Sequence, residues 1–371
     1  MQPDLRIAYL SHTLRSDWNN GNAHFLRGLL DNLRLLGHEV TAWEPATEWS
    51  LENLLQEPNG QASLNQFAAL YPDLHVALYP TAEMADEPAW RTRLANTDVV
   101  ILHEWNPPAL AHTLLNLRDQ LGFKLLFHDT HHRASSSPEA IRSFGTDRFD
   151  GVLVFGEALR TIYRERFGLE NVWTLHEAAD TRIFHPLPDT PNQQDAVWIG
   201  NWGDDERTAE IREFLLEPAR QLPQFHTKIH GVRYPVEGLE ALAEAGVTYA
   251  GYLPNLEAPH VYAASRLTVH VPRQQYSSAM HGIPTIRVFE ALACGIPLIS
   301  APWQDTEQLF REGDFTWAGN SAEMSAAMHH LLAHSAEAQA QAQRGLETVL
   351  ARHTCRHRAE QLTGILQELL R

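Results

Sequence analysis

Several side chains capable of proton transfer or metal binding follow one apolar run of the chain. Residues 124–127 have the composition of a buried strand, and His128, Asp129, His131 and His132 come almost directly after it. A histidine needs only a small shift of its pKa to act as a base near neutral pH, so His131 is a candidate base. Two interpretations compete with this one: a zinc or iron site, and histidines that are structural or solvated. Against a metal, adjacent His131 and His132 point in different directions on most backbones.

A second group of residues suits the binding of a nucleotide. A small, polar loop at residues 276–285 precedes an apolar run that contains Arg287 and Glu290. The backbone amides at a helix N-terminus bind anions such as a diphosphate, and Arg287 would neutralise part of the phosphate charge. Glu290 is a poor phosphate ligand, but a carboxylate accepts hydrogen bonds from both hydroxyls of a ribose. The alternative is an ordinary surface ion pair between these two residues, three positions apart on a helix.

Trp105 and the loop after the first apolar run have side chains suited to a substrate. Trp105 follows a predicted strand at residues 98–102, and its ring is of the kind that stacks on a sugar. In the loop, Asn20 and Gly21 are candidate substrate contacts because small residues let a substrate approach the backbone, and His24 follows them. The alternative for this loop is a turn without a ligand.

The composition excludes several classes of protein. A chain of 371 residues predicts two domains, or one large α/β domain. Its 29 Lys and Arg against 46 Asp and Glu give a net charge of −17, so we expect no nucleic-acid partner. Cys294 and Cys355 are too few for a disulfide framework or a cysteine zinc site. Since no apolar stretch reaches the roughly 18 residues of a membrane span, we expect a cytoplasmic protein that is not integral to a membrane.

Short apolar strands alternate with amphipathic helices along the chain, which predicts parallel sheets covered on both faces. A stretch rich in Pro, Asp, Asn and Gln at 186–194 interrupts the alternation and is the linker candidate. Ligands of such sheets bind at the carboxyl ends of the strands, so two Rossmann-like domains facing a central cleft would form a site for two substrates. Strands are predicted at 5–10, 38–43, 98–102, 124–127, 151–155, 172–175, 196–200, 227–230, 247–249, 267–271 and 298–300, and helices at 24–36, 206–220, 236–245, 258–264 and 286–293.

The run from Arg287 to Leu298 reads Arg-Val-Phe-Glu-Ala-Leu-Ala-Cys-Gly-Ile-Pro-Leu. It resembles the signature helix of the group 1 glycosyltransferases, and especially that of their spore-maturation CgeB-like branch. The resemblance covers the chain from the linker almost to its last residues. Four further segments resemble parts of the same family in the same order, namely 178–186, 199–202, 251–255 and 262–271.

The resemblance implies an α/β enzyme with the GT-B fold. Such an enzyme moves a sugar from a nucleotide diphosphate sugar, for example a UDP-sugar, to an acceptor nucleophile, with no metal or other cofactor. The oligomeric state, the acceptor and the sugar are left open. The implied organisation is an N-terminal acceptor-binding domain at 1–178, a hinge at 179–195, a donor-binding domain at 196–345, and a C-terminal helix at 346–371 that packs back on the N-terminal domain.

Carried over position by position, the resemblance assigns the donor ribose to Glu290. It also assigns the diphosphate or the sugar to the loop that contains Gly282, Ile283 and Thr285. One position departs from the broader group, which has an earlier glutamate in an E-x7-E pattern where this chain has Gly282. The CgeB-like branch lacks that glutamate as well, and a retaining outcome remains the expectation.

Other positions of the family pattern fall on residues of both halves. Arg207 and Arg233 are the candidates for the basic pair that commonly clamps the diphosphate, with a solvated arginine as the alternative for Arg207. His128 and Asp129 match a His-Asp pair whose histidine contacts the donor sugar in related enzymes. The loop with Asn20 resembles the acceptor-side loop of the family.

Three other functions are compatible with these residues. A nucleotide-sugar 2-epimerase of the same fold would form product from the donor alone. A non-catalytic nucleotide-sugar or glycan-binding protein would bind a ligand without transfer. Metal-dependent hydrolysis at residues 128–132 would require bound metal.

Overall fold

The computed structural model describes residues 4–203 and 205–371. Within them the chain alternates between strands and helices, as predicted. The strands are β1 Arg6–Leu10, β2 Glu39–Pro45, β3 His75–Tyr79, β4 Val99–His103, β5 Lys124–Asp129, β6 Gly151–Val154, β7 Val172–Thr174, β8 Gln194–Ile199, β9 Thr227–His230, β10 Thr248–Tyr249, β11 Ser265–His270, β12 Leu298–Ser300 and β13 Thr316–Trp317.

Helices connect most successive strands. They are α1 Ala23–Leu35, α2 Trp49–Leu54, α3 Gly60–Leu70, α4 Glu87–Arg93, α5 Pro108–Leu121, α6 Arg133–Ser136, α7 Pro138–Arg142, α8 Glu157–Arg166, α9 Thr208–Ile211, α10 Glu217–Gln221, α11 Val236–Glu244, α12 Ala258–Ala263, α13 Gln274–Ser278, α14 Ile286–Ala293, α15 Ser321–Ala333, α16 Ser335–Arg352 and α17 Cys355–Leu369. Short 3-10 turns lie at Thr81–Glu83, Thr146–Arg148 and Asn255–Glu257, and a π-helical turn at Arg212–Leu216 separates α9 from α10.

The first sheet has seven strands in the order β3-β2-β1-β4-β5-β6-β7, and its pairs are parallel. Its central strands are apolar on both faces because helices cover both sides, and every residue of β4 is buried. The strand order reverses between β1 and β4. In parallel α/β sheets, ligands bind beyond the carboxyl ends of the strands at such a point.

The second sheet has six strands in the order β10-β9-β8-β11-β12-β13, again with parallel pairs. The order reverses between β8 and β11, which places a second switch point at the carboxyl ends of those strands. On one face, its core packs Trp198, Leu267 and Ile299 of the sheet against apolar residues of α10, α11 and α15. The prediction of two parallel-sheet, Rossmann-like domains is therefore confirmed.

The chain divides into two compact units, unit 1 at 1–177 with 355–371 and unit 2 at 178–354. The last helix, α17, belongs to unit 1, where Oγ1 of Thr363 lies 2.9 Å from Nε2 of His38. Helix α16 continues without a break to Arg352, so the chain does not change units at the expected position 345. In unit 2, the backbone amide of Ala179 donates to the carbonyl of His353.

Some local predictions differ from the structure. The single helix predicted at 206–220 is divided by the π-helical turn. Strands β3 and β13 were not predicted; both lie at the edge of a sheet. Among the helices of the described residues, none has the length and apolarity needed to cross a bilayer.

Candidate functional site

The amino end of α14 lies beside the switch point of the second sheet. Thr285 occupies the N-cap position, and its side chain forms no capping hydrogen bond with the described residues. Instead, its Oγ1 lies 3.0 Å from Nε2 of His270, the last residue of β11, whose Nδ1 lies 2.8 Å from Oγ of Ser300. The first-turn amides of α14 are therefore not capped by that hydroxyl, and an uncapped helix N-terminus favours an anion.

Three arginines converge near this helix end, and we call them the arginine cluster: Arg207, Arg273 and Arg287. Burial lowers the pKa of Arg207 to about 9, and the charges of Arg273 and Arg287 contribute to this lowering. Arg273 is paired with Glu206, and Arg287 with a carboxylate on its own helix. This concentration of like charge is a natural binding site for a polyanion.

Arg207 is held by uncharged groups. Its Nη2 donates to the carbonyl and to Oδ1 of Asn201, at 3.0 and 2.6 Å. Its guanidinium carbon lies 5.1 Å from the ring centroid of Trp198, a cation–π geometry. Its Nε is buried and has no hydrogen-bond partner in the described part of the chain. A buried donor without a partner is costly, and a phosphate oxygen would satisfy it.

Glu290, on the fifth residue of α14, is fully buried. Oε2 of Glu290 accepts a hydrogen bond from Arg287, and Oε1 lies 3.2 Å from Nδ2 of Asn255. The side chain of Arg287 is 25% exposed. The pair is thus partly inside the protein, and the alternative of an ordinary surface ion pair is wrong.

Gly282 has a structural reason to be glycine. Its φ is +92°, which disfavours other residues, and a Cβ atom at this position would lie 2.4 Å from Oγ1 of Thr306. A glutamate here, as in the E-x7-E pattern, would require that loop to move. The side chain of the next residue, Ile283, is buried in the core.

Arg233 lies in the loop after β9, is exposed, and has a φ of +60°. Beside it, the hydroxyl of Tyr234 donates to the carbonyl of Gly200 at the end of β8, and its ring lies 4.7 Å from that of Tyr249.

Of the predicted basic residues, the structure brings Arg207 and Arg287 together, and it adds Arg273, which the sequence analysis missed. Its position three residues beyond β11 was the signal that could have found it.

In unit 1 the strand predicted at 124–127 continues to Asp129, so His128 and Asp129 are the last two residues of β5 and His131 follows it. His128 is fully buried, and its Nδ1 lies 2.8 Å from the hydroxyl of Tyr9 on β1. Its Nε2 has no hydrogen-bond partner among the described residues. Burial lowers the pKa of His128 to about 3, so the ring is neutral and able to contact an uncharged hydroxyl.

Asp129 is also fully buried and has an internal role. The hydroxyl of Tyr163 donates to Oδ2 at 2.7 Å, and the backbone amide of His131 donates to Oδ1 at 2.9 Å. Burial raises the pKa of Asp129 to about 6, although both hydrogen bonds lower it. Asp129 therefore fixes the backbone on which His131 is placed.

Glu104 and Arg133 form an ion pair that the sequence analysis did not predict. Nη2 and Nε of Arg133 donate to Oε2 of the fully buried Glu104, at 2.5 and 3.1 Å. Burial and the charge of Asp129 raise the pKa of Glu104. Arg133 also covers Trp105, with its guanidinium carbon 4.3 Å from the ring centroid.

Trp105 is the exposed aromatic residue of this edge, with 43% of its surface accessible. The ring of His131 meets it edge-on at 5.0 Å, and that of His12 lies at 6.3 Å. The structure thus brings Trp105 and His131 together at a surface.

The residues of the acceptor-side loop are less accessible than expected. Asn20 is buried, with Nδ2 3.4 Å from the carbonyl of Thr13, whereas Gly21 is partly exposed. His24 lies in the first turn of α1 and is fully buried, so its ring has no solvent-accessible surface. In the described residues, no three His, Cys, Asp or Glu side chains are grouped so as to hold a metal ion.

Residues 207–364 match a family model described as glycosyl transferase-like. No curated protein matches the chain.

Several solved structures share the fold. A structure of Anabaena Alr3699/HepE in complex with UDP and glucose is 14% identical, with a TM-score of 0.72 over 98% of this chain and 100% of that one. Sucrose-phosphate synthase from Thermosynechococcus elongatus is 16% identical, with a TM-score of 0.69 over 98% of both chains. An alpha-glucosyltransferase in complex with UDP and a DNA 13-mer containing an HMU base is 12% identical, with a TM-score of 0.72 over 98% and 100%. The chain therefore has the GT-B fold of these glycosyltransferases, and its residues 207–364 are similar to the glycosyl transferase-like family.

Proposed function

We propose that the protein transfers a sugar from a nucleotide diphosphate sugar, with UDP as the nucleotide, to an acceptor nucleophile. The observation that carries the proposal is the convergence of the arginine cluster on the uncapped amino end of α14. Two of the similar structures contain UDP, which favours this nucleotide for the first test.

The donor site would use charge that the protein already holds in place. When the bond from the sugar to the diphosphate breaks, negative charge develops on the leaving phosphate. The guanidinium of Arg207 and the first amides of α14 would stabilise that charge, which makes transfer without a metal ion part of the proposal. In the loop before α14, the backbone of Gly282, Ile283 and Thr285 would face the diphosphate or the sugar.

Glu290 would accept hydrogen bonds from the ribose hydroxyls. A carboxylate oxygen can accept more than one hydrogen bond, and Arg287 and Asn255 donate to different oxygens of Glu290. Arg233, in its exposed loop, would contribute less to the diphosphate than Arg207 does.

Unit 1 would supply the acceptor side. We propose that the neutral imidazole of His128 contacts the donor sugar through Nε2, and that His131 takes the proton of the acceptor where one must be removed. Trp105 would stack on the acceptor, and Asn20, Gly21 and His24 would lie near it, with His24 acting through its neighbours because its own ring is buried. Membership of the CgeB-like branch, a retaining outcome and a cytoplasmic location belong to the same proposal, the last in keeping with two free, buried cysteines.

Calorimetric titration tests the donor site. UDP, GDP and several of their sugar conjugates are titrated into the wild type, Glu290→Ala, and Glu240→Ala, which alters an exposed glutamate of α11. We expect UDP to bind, Glu290→Ala to weaken it at least about 10-fold, and Glu240→Ala to leave it unchanged. Absence of binding to every nucleotide, or equal affinity in the two variants, would contradict the proposal.

A product assay then separates the chemical alternatives. A transferase releases UDP from the donor only when an acceptor is present, apart from slow hydrolysis. A 2-epimerase converts the donor without an acceptor. A non-catalytic binding protein converts the donor neither with an acceptor nor without one. Either of the latter results would replace the transfer step while leaving the donor site in place.

A further inference from the structure

We propose that Asn255 is a positioning residue that orients Glu290 toward the ribose of the donor. The inference rests on the proposed function, since it concerns the same carboxylate. Nothing in the sequence pattern marks Asn255 for this role, because it lies 35 residues before Glu290 and outside α14.

The contact is internal and direct. Asn255 begins the 3-10 turn Asn255–Glu257 that leads into α12, and it is 4% exposed. Its Nδ2 lies 3.2 Å from Oε1 of Glu290, which is fully buried. A buried amide that donates to a buried carboxylate is worth more than the same contact at a surface, because water does not compete for either group.

Two anchors define the carboxylate plane better than one does. Arg287, on the same helix, donates to Oε2. The last torsion of a glutamate side chain is broad. A single donor at one oxygen therefore leaves the carboxylate able to turn about that hydrogen bond. With Asn255 at Oε1, each oxygen has its own donor, and the plane of the carboxylate has a fixed direction.

Asparagine also preserves the charge that ribose recognition needs. It donates without adding a cation beside Arg287, which already forms an ion pair with Glu290. Other titratable groups that face the carboxylate are Tyr262 and Cys294, and its charge contributes to raising the pKa of both. Burial is the larger cause of both shifts, so both groups stay neutral and add no charge beside the pair of Arg287 and Glu290.

The test measures ribose discrimination, defined as the ratio of the dissociation constants of 2′-deoxy-UDP and UDP. We expect a ratio of about 10 or more in the wild type, since a hydrogen bond to a charged group is lost. Asn255→Leu should bring the ratio to within about 2-fold of unity. A purely structural role for Asn255 would weaken both nucleotides equally and leave the ratio unchanged.

Asn255→Asp supplies a rescue by pH that does not depend on the stability of the leucine variant. At pH 8 two adjacent carboxylates repel each other, so the ratio should be low. As the pH falls to 5.5, the pair takes up a proton, and the protonated carboxyl group that this substitution introduces donates as the amide did, so the ratio should rise toward the wild-type value. Protonation of the diphosphate affects both dissociation constants equally, because both nucleotides carry a diphosphate, and it therefore cancels in their ratio.

Asn320→Asp is the matched control. It makes the same substitution at the N-cap of α15 in unit 2, and its ratio should equal that of the wild type at every pH. A wild type that binds no UDP would overturn the proposed function. If Glu290→Gln lowers the ratio below that of the wild type but neither Asn255 variant does, this inference alone is overturned.

Discussion

Nε2 of His270 lies 3.0 Å from Oγ1 of Thr285, so the hydroxyl at the start of α14 contacts a buried imidazole instead of capping its own helix. A threonine at this position ordinarily accepts a hydrogen bond from an amide of the first turn. Its engagement by His270 leaves the first-turn amides without a cap from this hydroxyl, and in the described part of the chain only the amide of Val288 is seen to donate to the carbonyl of Thr285. The arginine cluster beside them supplies the positive charge.

Arg207→Gln should weaken UDP about 10- to 100-fold, because a buried, cationic donor to the diphosphate is lost. Uridine has no phosphate and should bind as it does to the wild type. Calorimetric titration of both ligands measures the difference. Arg233→Gln, in the exposed loop after β9, is the control and should change UDP affinity less. Equal losses for UDP and uridine in Arg207→Gln would contradict a phosphate contact.

His270→Gln should make folding less sensitive to acid. Burial, with a smaller contribution from Arg207, lowers the pKa of His270 to about 3, whereas an unfolded histidine titrates near about 6.5. Its contribution to stability is therefore present above about pH 6.5 and is lost as the pH falls toward 3. Between about pH 6 and pH 4, the free energy of unfolding of the wild type should lose up to about 1.4 kcal/mol more per pH unit than that of the variant.

Urea unfolding at a series of pH values measures this slope. The exposed His260 of α12 provides the control, and His260→Gln should retain the wild-type slope. Identical slopes in wild type and His270→Gln would show that His270 is not held neutral.

Tyr163→Phe should destabilise the protein by about 1–3 kcal/mol, because Asp129 loses a 2.7 Å hydrogen bond inside the core. Burial raises the pKa of Asp129 to about 6, so the neutral form stabilises the fold at low pH and this contribution is lost as the pH rises through that value. Since the tyrosine bond favours the charged form, the destabilisation should be larger at pH 7 than at pH 5.

The same comparison in an Asp129→Asn background isolates the contact. In that background, Tyr163→Phe should lower the free energy of unfolding by less, and the loss should be the same at pH 5 and pH 7. A cost that is equal in both backgrounds would assign the effect to packing of the Tyr163 ring.

Gly282→Ala should cost stability and donor affinity together. The alanine must adopt a φ of +92°, and its Cβ would lie 2.4 Å from Oγ1 of Thr306, so about 1–2 kcal/mol of backbone strain is joined by overpacking of about 1–3 kcal/mol. Gly246→Ala is the control, because Gly246 has a φ of +71° and no atom within 4 Å of the added Cβ. Urea unfolding and UDP titration measure both effects, and equal costs in the two variants would exclude the clash.

The sequence alone predicted the sheets well where strands are central. The bounds of β12 at 298–300 and of α14 at 286–293 agree with the structure, because a continuous apolar run and a strong helical periodicity mark buried elements. Strand β3 was missed although His75–Tyr79 is mostly apolar. It lies at the edge of the sheet beside β2 and is only partly buried. Its sequence therefore lacks the continuous apolar run that marks the start and end of a central strand.

Burial and pairing were not accessible from the sequence. His128, Asp129 and His131 lie within four positions of one another, yet the first two are fully buried while His131 contacts an exposed tryptophan. Successive side chains at the end of a strand point in different directions. Which of them enter the core depends on neighbouring strands such as β1, which contributes Tyr9. Residue type and spacing do not contain that information.

The sequence by itself determined the class of fold and the helix that carries Arg287 and Glu290, since both depend on local periodicity and on a contiguous motif. Only the tertiary structure decided which distant side chains complete the site. Arg273 and Asn255, which the sequence did not mark, approach α14 from separate elements, as does Arg207, which the family pattern suggested. Parallel strands end at the same edge of a sheet and so bring together loops that are far apart in the chain.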